Sequence, residues 1–335
     1  MAIVISKNSG LNDDLWKVTA QMVNAVLLDA DSEKTEFDKL VTDIALPKKS
    51  KKYAEKQTSI TSLANFEIVN EGDVAPLDDF QEGTPKLIVH NTFMKEFKIT
   101  REMLDDGDTD LMKAKARNMV VSYKRTRAQF LTDYISTEGS TFSFGSRTGL
   151  DRTTGDGKGL FATDHSSVKA NVATQSNVFT DEFSLDLLIE LASIGRNFKN
   201  ESGEVTGFAF NKIIIPGNCW QMEETIKRII ATDRVIASNN NDVNTQKGKW
   251  ELIVDPLWQA AAGKNPFILE SDQANKAYNA LPFYDRVALD VKNEVDIHTR
   301  DLIYNGYSRM GVGANNWRAF IMGGADVGTT LHEAS

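Results

Sequence analysis

The residues best suited to chemistry are the neighbouring Asp164 and His165, because a carboxylate beside an imidazole can bind a metal ion or act as a general base. The chain has 4 histidines, and no two of them stand at the His-x-x-x-His spacing that places two ligands on one helix face. A histidine without such a partner is more often a hydrogen-bonded structural residue. We therefore expect a structural role for His165 and keep a metal-dependent hydrolase using Asp164 and His165 as an alternative.

Two other stretches match reactive motifs only in part. The segment Gly155–Gly159 has the glycines and the lysine of a phosphate-binding loop, but no Ser or Thr follows Lys158 and no buried strand precedes it. Cys219 is the single cysteine, which excludes an internal disulfide, and no downstream histidine stands in the context of a cysteine-protease partner. We expect no catalytic residue, no cofactor and no bound metal.

Composition narrows the class of protein further. The 335 residues carry a formal net charge of −9, with 41% hydrophobic and 25% charged residues, which is ordinary for a globular chain. This charge argues against a surface that binds phosphates generally, although the basic cluster 47–52 is either a solvated linker or a contact for nucleic acid or an acidic partner. No apolar run approaches the length of a membrane span, and the first residues lack the order of a signal peptide, so we expect no membrane association.

The elements that must position these residues include a β-hairpin followed by one long helix. Residues Lys86–Ile99 alternate between apolar and polar, as a half-covered strand does, and Phe66–Asn70 is the expected partner strand. Residues 71–85 between them supply turns and a solvated tip. Helical spacing without Gly or Pro predicts a helix over Asp110–Glu138, about 40 Å long. A hairpin that cannot bury both faces within its own chain indicates a neighbouring subunit.

Further helices and strands are predicted before and after the hairpin and the long helix. Leu11–Ala30 reads as an amphipathic helix whose apolar stripe includes Trp16, and this stripe packs either on the chain's own core or on another subunit. A helix over Asp181–Lys199 and the alternating strands and helices after it indicate a mixed domain. Strands return in the last third, where Gly306 and Gly311 indicate bends or a close approach between backbones.

Five local features follow one another along the chain: the hairpin tip 71–85 with its return strand ending in Phe97–Leu104, the long helix, Gly159–His165, Asn211–Pro216, and Gly311–Val312 with Asn316–Ala319. In this order they resemble the major capsid protein of tailed bacteriophages, which has the Hong Kong 97-type fold. Together the features cover residues 60–324. Each motif alone is weakly specific, whereas the order of all five is considerably more so.

The resemblance implies an α+β fold with a peripheral domain, an axial domain, an extended β-hairpin loop, a long spine helix and an N-terminal arm. The implied boundaries are 1–65 for the arm with its amphipathic helix, 66–100 for the extended loop, 101–205 for the spine helix and first part of the peripheral domain, 206–281 for the axial domain, and 282–335 for the closing peripheral strands and C-terminal tail. It further implies hexamers and pentamers that self-assemble into an icosahedral shell around packaged double-stranded DNA, held without sequence-specific binding.

The same resemblance implies scaffolding, portal and decoration proteins as partners, the virion as location, and assembly in the cytoplasm of a bacterial host. The residues expected at the inter-subunit interface come from the return strand, the N-terminal helix and the closing strand: Leu87, Val89, Phe93, Phe97, Trp16 and Arg318. We expect Trp317 in the core and Arg318 in a salt bridge at or near an interface. An encapsulin-like nanocompartment shell shares the fold and stays open as an alternative, as does a different phage structural protein.

Overall fold

Helices alternate with strands over the residues that this computed structural model describes, which are 4–5, 14–58, 65–66, 68–72, 74, 77, 85–167, 172–234 and 243–331. The α-helices are α1 Asp14–Ser32, α2 Glu36–Ile44, α3 Arg101–Asp105, α4 Thr109–Ser136, α5 Leu185–Arg196, α6 Trp220–Ala231 and α7 Asp272–Tyr278. The strands are β1 Val4–Ile5, β2 Leu46–Lys49, β3 Ala54–Gln57, β4 Lys86–Val89, β5 Asn91–Ile99, β6 Thr141–Phe144, β7 Arg147–Asp151, β8 Lys212–Pro216, β9 Glu251–Asp255, β10 Phe267–Glu270, β11 Pro282–Val295, β12 Leu302–Val312 and β13 Phe320–Gly323.

These elements divide between two units, each made from separated segments of the sequence. The first unit consists of Met1–Glu55, Ile88–Leu131 and Phe283–Val312, and the second of Lys56–Leu87, Thr132–Pro282 and Gly313–Ser335. The boundary falls within α4, so this helix contributes to both units. The five-part division expected from the sequence stays a prediction.

The first unit is built on a sheet in which the strands follow the order β1-β11-β12-β5, with β2 also pairing with β11. β12 lies antiparallel to β5, with Leu302 opposite Ile99 and Met310 opposite Asn91. Gly306 of β12 allows a close approach, because a Cβ atom there would lie 2.2 Å from Met119 Cε. The predicted close approach between backbones is found instead at Gly311, where a Cβ atom would lie 3.0 Å from the carbonyl oxygen of Val89.

Helices α1 and α4 supply most of the apolar side chains that pack with this sheet. The helix positions recur at three- and four-residue spacing, which places them on one face of each helix. The core of the first unit consists of Trp16, Val23, Leu27, Ala30, Ile99, Met112, Ala116, Met119, Val120, Leu289, Val291, Leu302 and Tyr304.

Lys124 of α4 fixes the C-terminal end of α1. Its buried ammonium group donates to the backbone carbonyls of Ala30 at 3.2 Å, Asp31 at 3.1 Å and Glu33, and lies 3.2 Å from a carboxylate oxygen of Asp38. Carbonyls at the end of a helix carry partial negative charge and have no partner within the helix. The cation therefore satisfies this helix end and joins it to the long helix.

The long helix α4 confirms the predicted Asp110–Glu138 helix to within two residues at each end. Its 28 residues give a length of about 42 Å. At the C-terminal end the buried guanidinium of Arg152 donates to the carbonyls of Tyr134, of Ile135 at 3.3 Å and of Gly139 at 2.8 Å. Burial lowers the pKa of Arg152 to about 10, so the group stays charged at neutral pH.

The second unit contains a sheet in the order β13-β10-β8-β9. β8 runs parallel to β9 and antiparallel to β10, and all five of its residues are buried. A continuous apolar run such as Ile213–Ile215 is typical of a strand that is covered on both faces. A smaller hairpin of β6 and β7 follows the end of α4.

The structure corrects the predicted β-hairpin in two ways. Phe66 and residues 68–70 belong to no strand, and β4 pairs instead with β3, which precedes the loop. The expected single strand Lys86–Ile99 is divided at His90, because β4 pairs with β3 whereas β5 pairs with β12. Much of the hairpin tip, residues 73, 75–76 and 78–84, lies outside the described residues.

Candidate assembly surface

Strand β4 presents the clearest exposed apolar residues among the predicted interface positions. Leu87 is 54% exposed and Val89 is 42% exposed, while the alternate residues Lys86 and Ile88 are buried. Lys86 is held inward because its ammonium group donates to Thr153 Oγ1 at 2.8 Å and pairs with the carboxylate of Asp151. The strand therefore directs Leu87 and Val89 to solvent.

The carboxylate that receives Lys86 stays ionised over a wide range of pH. Burial raises the pKa of Asp151, but hydrogen bonds from Lys86 and from the backbone and hydroxyl of Thr153 outweigh this effect and leave the pKa below its usual value. The inward position of Lys86 is thus supported by a charged partner at neutral pH.

Phe93 and Phe97 do not share the exposed face of Leu87 and Val89. Phe93 packs edge-on against Phe130, with ring centroids 5.3 Å apart, and Phe97 stacks on Tyr304 at 4.8 Å. Both are partly buried. The prediction of one exposed four-residue face is therefore wrong, and contact of these residues with a neighbouring subunit stays a prediction.

His90 marks the position where the alternation reverses. Its side chain is buried, with Nε2 3.1 Å from Ser50 Oγ and the ring edge-on to Tyr284 at 5.9 Å. His90 and the partly buried Asn91 are consecutive inward residues, which shifts the pleat by one position. The exposed positions are therefore odd-numbered in β4, whereas Phe93 and Phe97 of β5 point inward.

Trp16 lies in the core of the first unit and has 1% of its surface exposed. Of the two interpretations of the N-terminal stripe, packing on the chain's own core is the one that this residue follows. The buried indole offers no surface to a neighbouring subunit, so Trp16 is corrected from an interface residue to a core residue.

Arg318 forms the predicted salt bridge, and it does so inside the second unit. Its Nη1 atom lies 2.8 Å from Glu201 Oε1, and Nε donates to the carbonyl of Lys199 at 2.7 Å. The guanidinium also lies 4.6 Å from the ring centroid of the buried Trp317. The buried guanidinium of Arg318 therefore finds its partners within its own unit, and a position near an interface stays a prediction.

His165 and Asp164 have different partners. His165 is buried, with Nδ1 2.7 Å from Asp156 Oδ2 and Nε2 3.1 Å from Asn177 Oδ1, and its ring stacks on Trp317 at 4.3 Å. Asp164 points to the ammonium group of Lys158 at the surface. The predicted structural role of His165 is confirmed, and the two residues do not form a joint hydrolytic site.

Asp156 and Asn177 are structural residues that the sequence analysis missed. Burial raises the pKa of Asp156, but hydrogen bonds from His165 and Thr154 lower it below the usual value. Asn177 Nδ2 donates to the carbonyls of Leu160 at 2.8 Å and Phe320 at 3.1 Å. Hydrogen bonds through Asn177 therefore connect the segment around His165 to strand β13.

Other reactive side chains give no site. Burial raises the pKa of the Cys219 thiol, which makes it a poor nucleophile at neutral pH. In the described ranges, no three His, Cys, Asp or Glu side chains come close enough together to hold a metal ion. The helices in these ranges are each too short or too polar to cross a membrane.

The segment before β4 contains further exposed apolar side chains, which the sequence analysis assigned to the partner strand Phe66–Asn70 and to the solvated tip 71–85. Val74 is 91% exposed and Leu77 is 97% exposed, and Phe66 and Ile68 are fully exposed. The sequence signal that could have indicated this exposure is the position of Val74 and Leu77 between acidic residues. Exposed apolar side chains at this density are typical of a protein–protein contact surface.

Three solved structures illustrate the folds to which this chain is similar. The capsid of an empty GTA particle matches with a TM-score of 0.55 at 12% identity, covering 87% of this chain and 91% of that chain. Gordonia phage Cozz matches with a TM-score of 0.50 at 11% identity, covering 88% and 87%. The capsid of Myoviridae phage XM1 matches with a TM-score of 0.50 at 12% identity, covering 87% and 92%. At such identities the likeness shows the fold.

A search of curated proteins found no match to this chain. A family model described as phage capsid protein, in contrast, matches residues 84–323, more than two thirds of the sequence. The chain therefore belongs to the phage capsid protein family, which makes it a structural shell protein of the virion with the Hong Kong 97-type fold.

Proposed function

We propose that this chain is the major capsid protein of a tailed phage or prophage, which assembles through hexamers and pentamers into an icosahedral shell around double-stranded DNA. The observation that carries the proposal is the exposed apolar surface of β4 and of the loop before it, in a chain that belongs to a capsid family. Assembly takes place in the bacterial cytoplasm, with scaffolding, portal and decoration proteins as partners.

Burial of a modest apolar surface is enough to support association. Burying about 300 Å² of it against a neighbour contributes roughly 7 kcal/mol at ~25 cal/mol per Å², before the cost of ordering and association. A single contact of this size gives a weak dimer. Because each subunit repeats the contact around a ring and across a shell, the closed assembly is far more stable than one contact.

The net charge of −9 is compatible with DNA as contents. A container must confine DNA without binding it tightly, and phosphate binding grows with the number of cations supplied. The acidic chain therefore supports enclosure without sequence-specific contacts. Shell formation also gives the chain a role that needs no catalytic residue.

Substitution of the two exposed β4 residues tests the proposal. The variant Leu87→Asp with Val89→Asp should stay folded, because both side chains point to solvent, but should form no shells. The full-length chain is expressed with its neighbouring genes, and particles are counted by electron microscopy after size-exclusion chromatography. Thermal unfolding of the unassembled variant checks the fold.

The matched control is Leu87→Ile with Val89→Ile, which keeps the apolar surface and should give shells in normal yield. Normal shells from the double aspartate variant would contradict the role of β4. Wild-type subunits that stay monomeric with all partners present would contradict the assembly function itself. Nuclease-protected double-stranded DNA in native particles distinguishes a phage shell from a nanocompartment filled with protein.

A further inference from the structure

The basic cluster 47–52 is held on the sheet of the first unit. Strand β2, which contains the first residues of the cluster, pairs with β11, and the backbone N–H of Ser50 donates to the carbonyl of Asp285 at 3.1 Å. The lysine side chains of this stretch are exposed: Lys48, Lys49, Lys51 and Lys52. The cluster is therefore a fixed part of a folded surface, which gives its cations defined positions.

Ser50 fixes the turn that carries these lysines. Its buried hydroxyl donates to Glu55 Oε1 at 2.7 Å and accepts from the backbone N–H of Lys52 at 3.2 Å. The same oxygen lies 3.1 Å from Nε2 of the buried His90, which follows β4. One hydroxyl group thus anchors the turn between β2 and β3.

Two arginines of the sheet adjoin this turn. Arg286 directly follows Asp285 on β11, and Arg309 of β12 lies opposite Val287. The guanidinium of Arg309 lies 5.9 Å from the ring centroid of Tyr53, a residue of the turn that is 67% exposed. We define the basic surface by the cations of the cluster and of these two strands, which are Lys48, Lys49, Lys51, Arg286 and Arg309.

The cations of the basic surface are not neutralised by ion pairs within the described part of the chain, where no carboxylate lies within ion-pair distance of any of them. The two carboxylates on the same segments have other partners. Glu55 pairs with Lys52 at 3.6 Å, and Asp285 pairs with Arg127 at 2.8 Å. The basic surface therefore keeps its positive charge for a partner outside the subunit.

The pKa of the buried His90 reflects this charge. Burial lowers the pKa of His90, the positive charges of Arg286 and Arg309 lower it further, and Glu55 opposes them. The surface is thus locally positive on a chain whose net charge is −9.

We infer that the basic surface binds the phosphodiester backbone of nucleic acid without regard to sequence. Lysine and arginine side chains supply the charge that such backbones require, whereas sequence is read by contacts to base edges. An acidic protein segment fits less well, because a protein contact buries more apolar area than Tyr53 offers here. The inference rests on the proposed function only for the source of the nucleic acid, which is the DNA inside the shell.

Binding of this kind is compatible with an acidic chain. Contacts that depend on a few cations give dissociation constants of about 10⁻⁴–10⁻⁶ M at physiological salt, and added salt weakens them steeply. Such contacts can hold the DNA layer next to the protein and still release it. Confinement and local binding therefore do not exclude each other.

Salt-dependent binding to a fluorescently labelled DNA duplex tests the inference, with unassembled full-length subunits and fluorescence anisotropy as the readout. If all the cations of the surface contact phosphates, the slope of log K against log salt concentration is about −4.5 between about 50 and 200 mM salt. Lys48→Gln with Lys49→Gln and Lys51→Gln should make this slope less steep by about 2.7. The same variant should bind at least about tenfold more weakly at the lower salt concentration.

The matched control carries Lys227→Gln, Lys264→Gln and Lys276→Gln, which changes the net charge by the same amount. These lysines lie in the second unit and pair with carboxylates at 2.6, 2.8 and 2.5 Å respectively. Because distant exposed charges are screened by salt, the slope of the control should equal that of wild type.

A second variant, Arg286→Gln with Arg309→Gln, tests the arginines separately and should make the slope less steep by about 1.8. Both side chains are half-buried, so thermal unfolding checks that this variant is folded. If it is not folded, the exposed lysine variant decides the inference.

The outcomes separate the inference from the proposed function. Wild type without salt-dependent binding overturns the inference, as does a lysine variant whose slope equals that of the control. If poly-glutamate displaces the duplex at an equal or lower concentration of negative charge, the surface binds acidic protein and the inference is wrong. Subunits that bind the duplex as expected but form no shells contradict the proposed function and leave the inference standing.

Discussion

Loss of Arg152 should destabilise the C-terminal end of the long helix. The guanidinium is fully buried and supplies donors to the three carbonyls of Tyr134, Ile135 and Gly139. The carbonyls of Tyr134 and Ile135 belong to the last turn of α4, where such groups lack a partner within the helix and carry partial negative charge that favours a cation. In Arg152→Met the apolar stem remains and the charge and donors are removed, so the variant isolates the polar contribution.

The magnitude follows from the hydrogen bonds that are lost. Buried acceptors left without a partner cost about 1–3 kcal/mol each, and burying the cation without a carboxylate offsets part of what it contributes. We expect the free energy of unfolding to fall by about 3–5 kcal/mol. With an unfolding entropy of ~2.1 cal/mol/K per residue over roughly 200 residues of the second unit, Tm falls by about 7–12 °C.

Differential scanning calorimetry of unassembled subunits measures this change. Arg152→Lys keeps the charge but lacks the planar fork of donors, so its Tm should lie between those of wild type and Arg152→Met. Arg147→Met is the matched control, because Arg147 is an exposed arginine at the start of β7, the strand that directly precedes Arg152. The Tm of this variant should differ little from that of wild type. A Tm for Arg152→Met within about 2 °C of the control would refute the argument from unsatisfied helix-end carbonyls.

Two further predictions concern buried charges. Burial raises the pKa of Glu270 from 4.5 to about 8, so at intermediate pH the folded state holds a proton that the unfolded state has released. Stability is therefore lost as pH rises from about 4.5 through 8, by roughly 4–5 kcal/mol at most. Glu270→Gln should flatten this fall in Tm measured from pH 5 to 9, and an unchanged slope would contradict the prediction. Lys124→Met removes the donor to the carbonyl of Ala30 and one of the two cations beside Asp38, which keeps Arg127 at 3.5 Å. We expect a loss of about 2–4 kcal/mol and faster hydrogen exchange in α1. Protection equal to wild type would show that apolar packing alone holds this helix.

Local patterns in the sequence predicted the helices better than they predicted the strand partners. The long helix was predictable to within two residues, because an uninterrupted helical period depends only on neighbouring residues. The alternation through Lys86–Ile99 continues formally across His90, yet the chain changes its strand partner there. Which strand pairs with which is decided by long-range packing, and a local period carries no information about it.

The candidate site shows the same limit. A helical stripe containing Trp16 looks identical whether it packs on its own core or on a neighbour, and only the burial of the indole separates the two. The partners of His165 were not predictable, because Asp156 and Asn177 reach it through loops rather than through a regular element. The apolar residues of the loop were visible in the sequence, but their exposure depends on what the rest of the chain leaves uncovered.

The carboxylates between the exposed apolar residues of the loop also act before any particle exists. A newly synthesised subunit exposes Phe66, Ile68, Val74 and Leu77 at the high concentration that assembly requires. Apolar side chains without adjacent charge would associate in arbitrary orientations and precipitate, whereas flanking carboxylates make such unselective contacts repulsive. We therefore expect the acidic residues of the loop to disfavour unselective association between free subunits while its apolar side chains stay exposed.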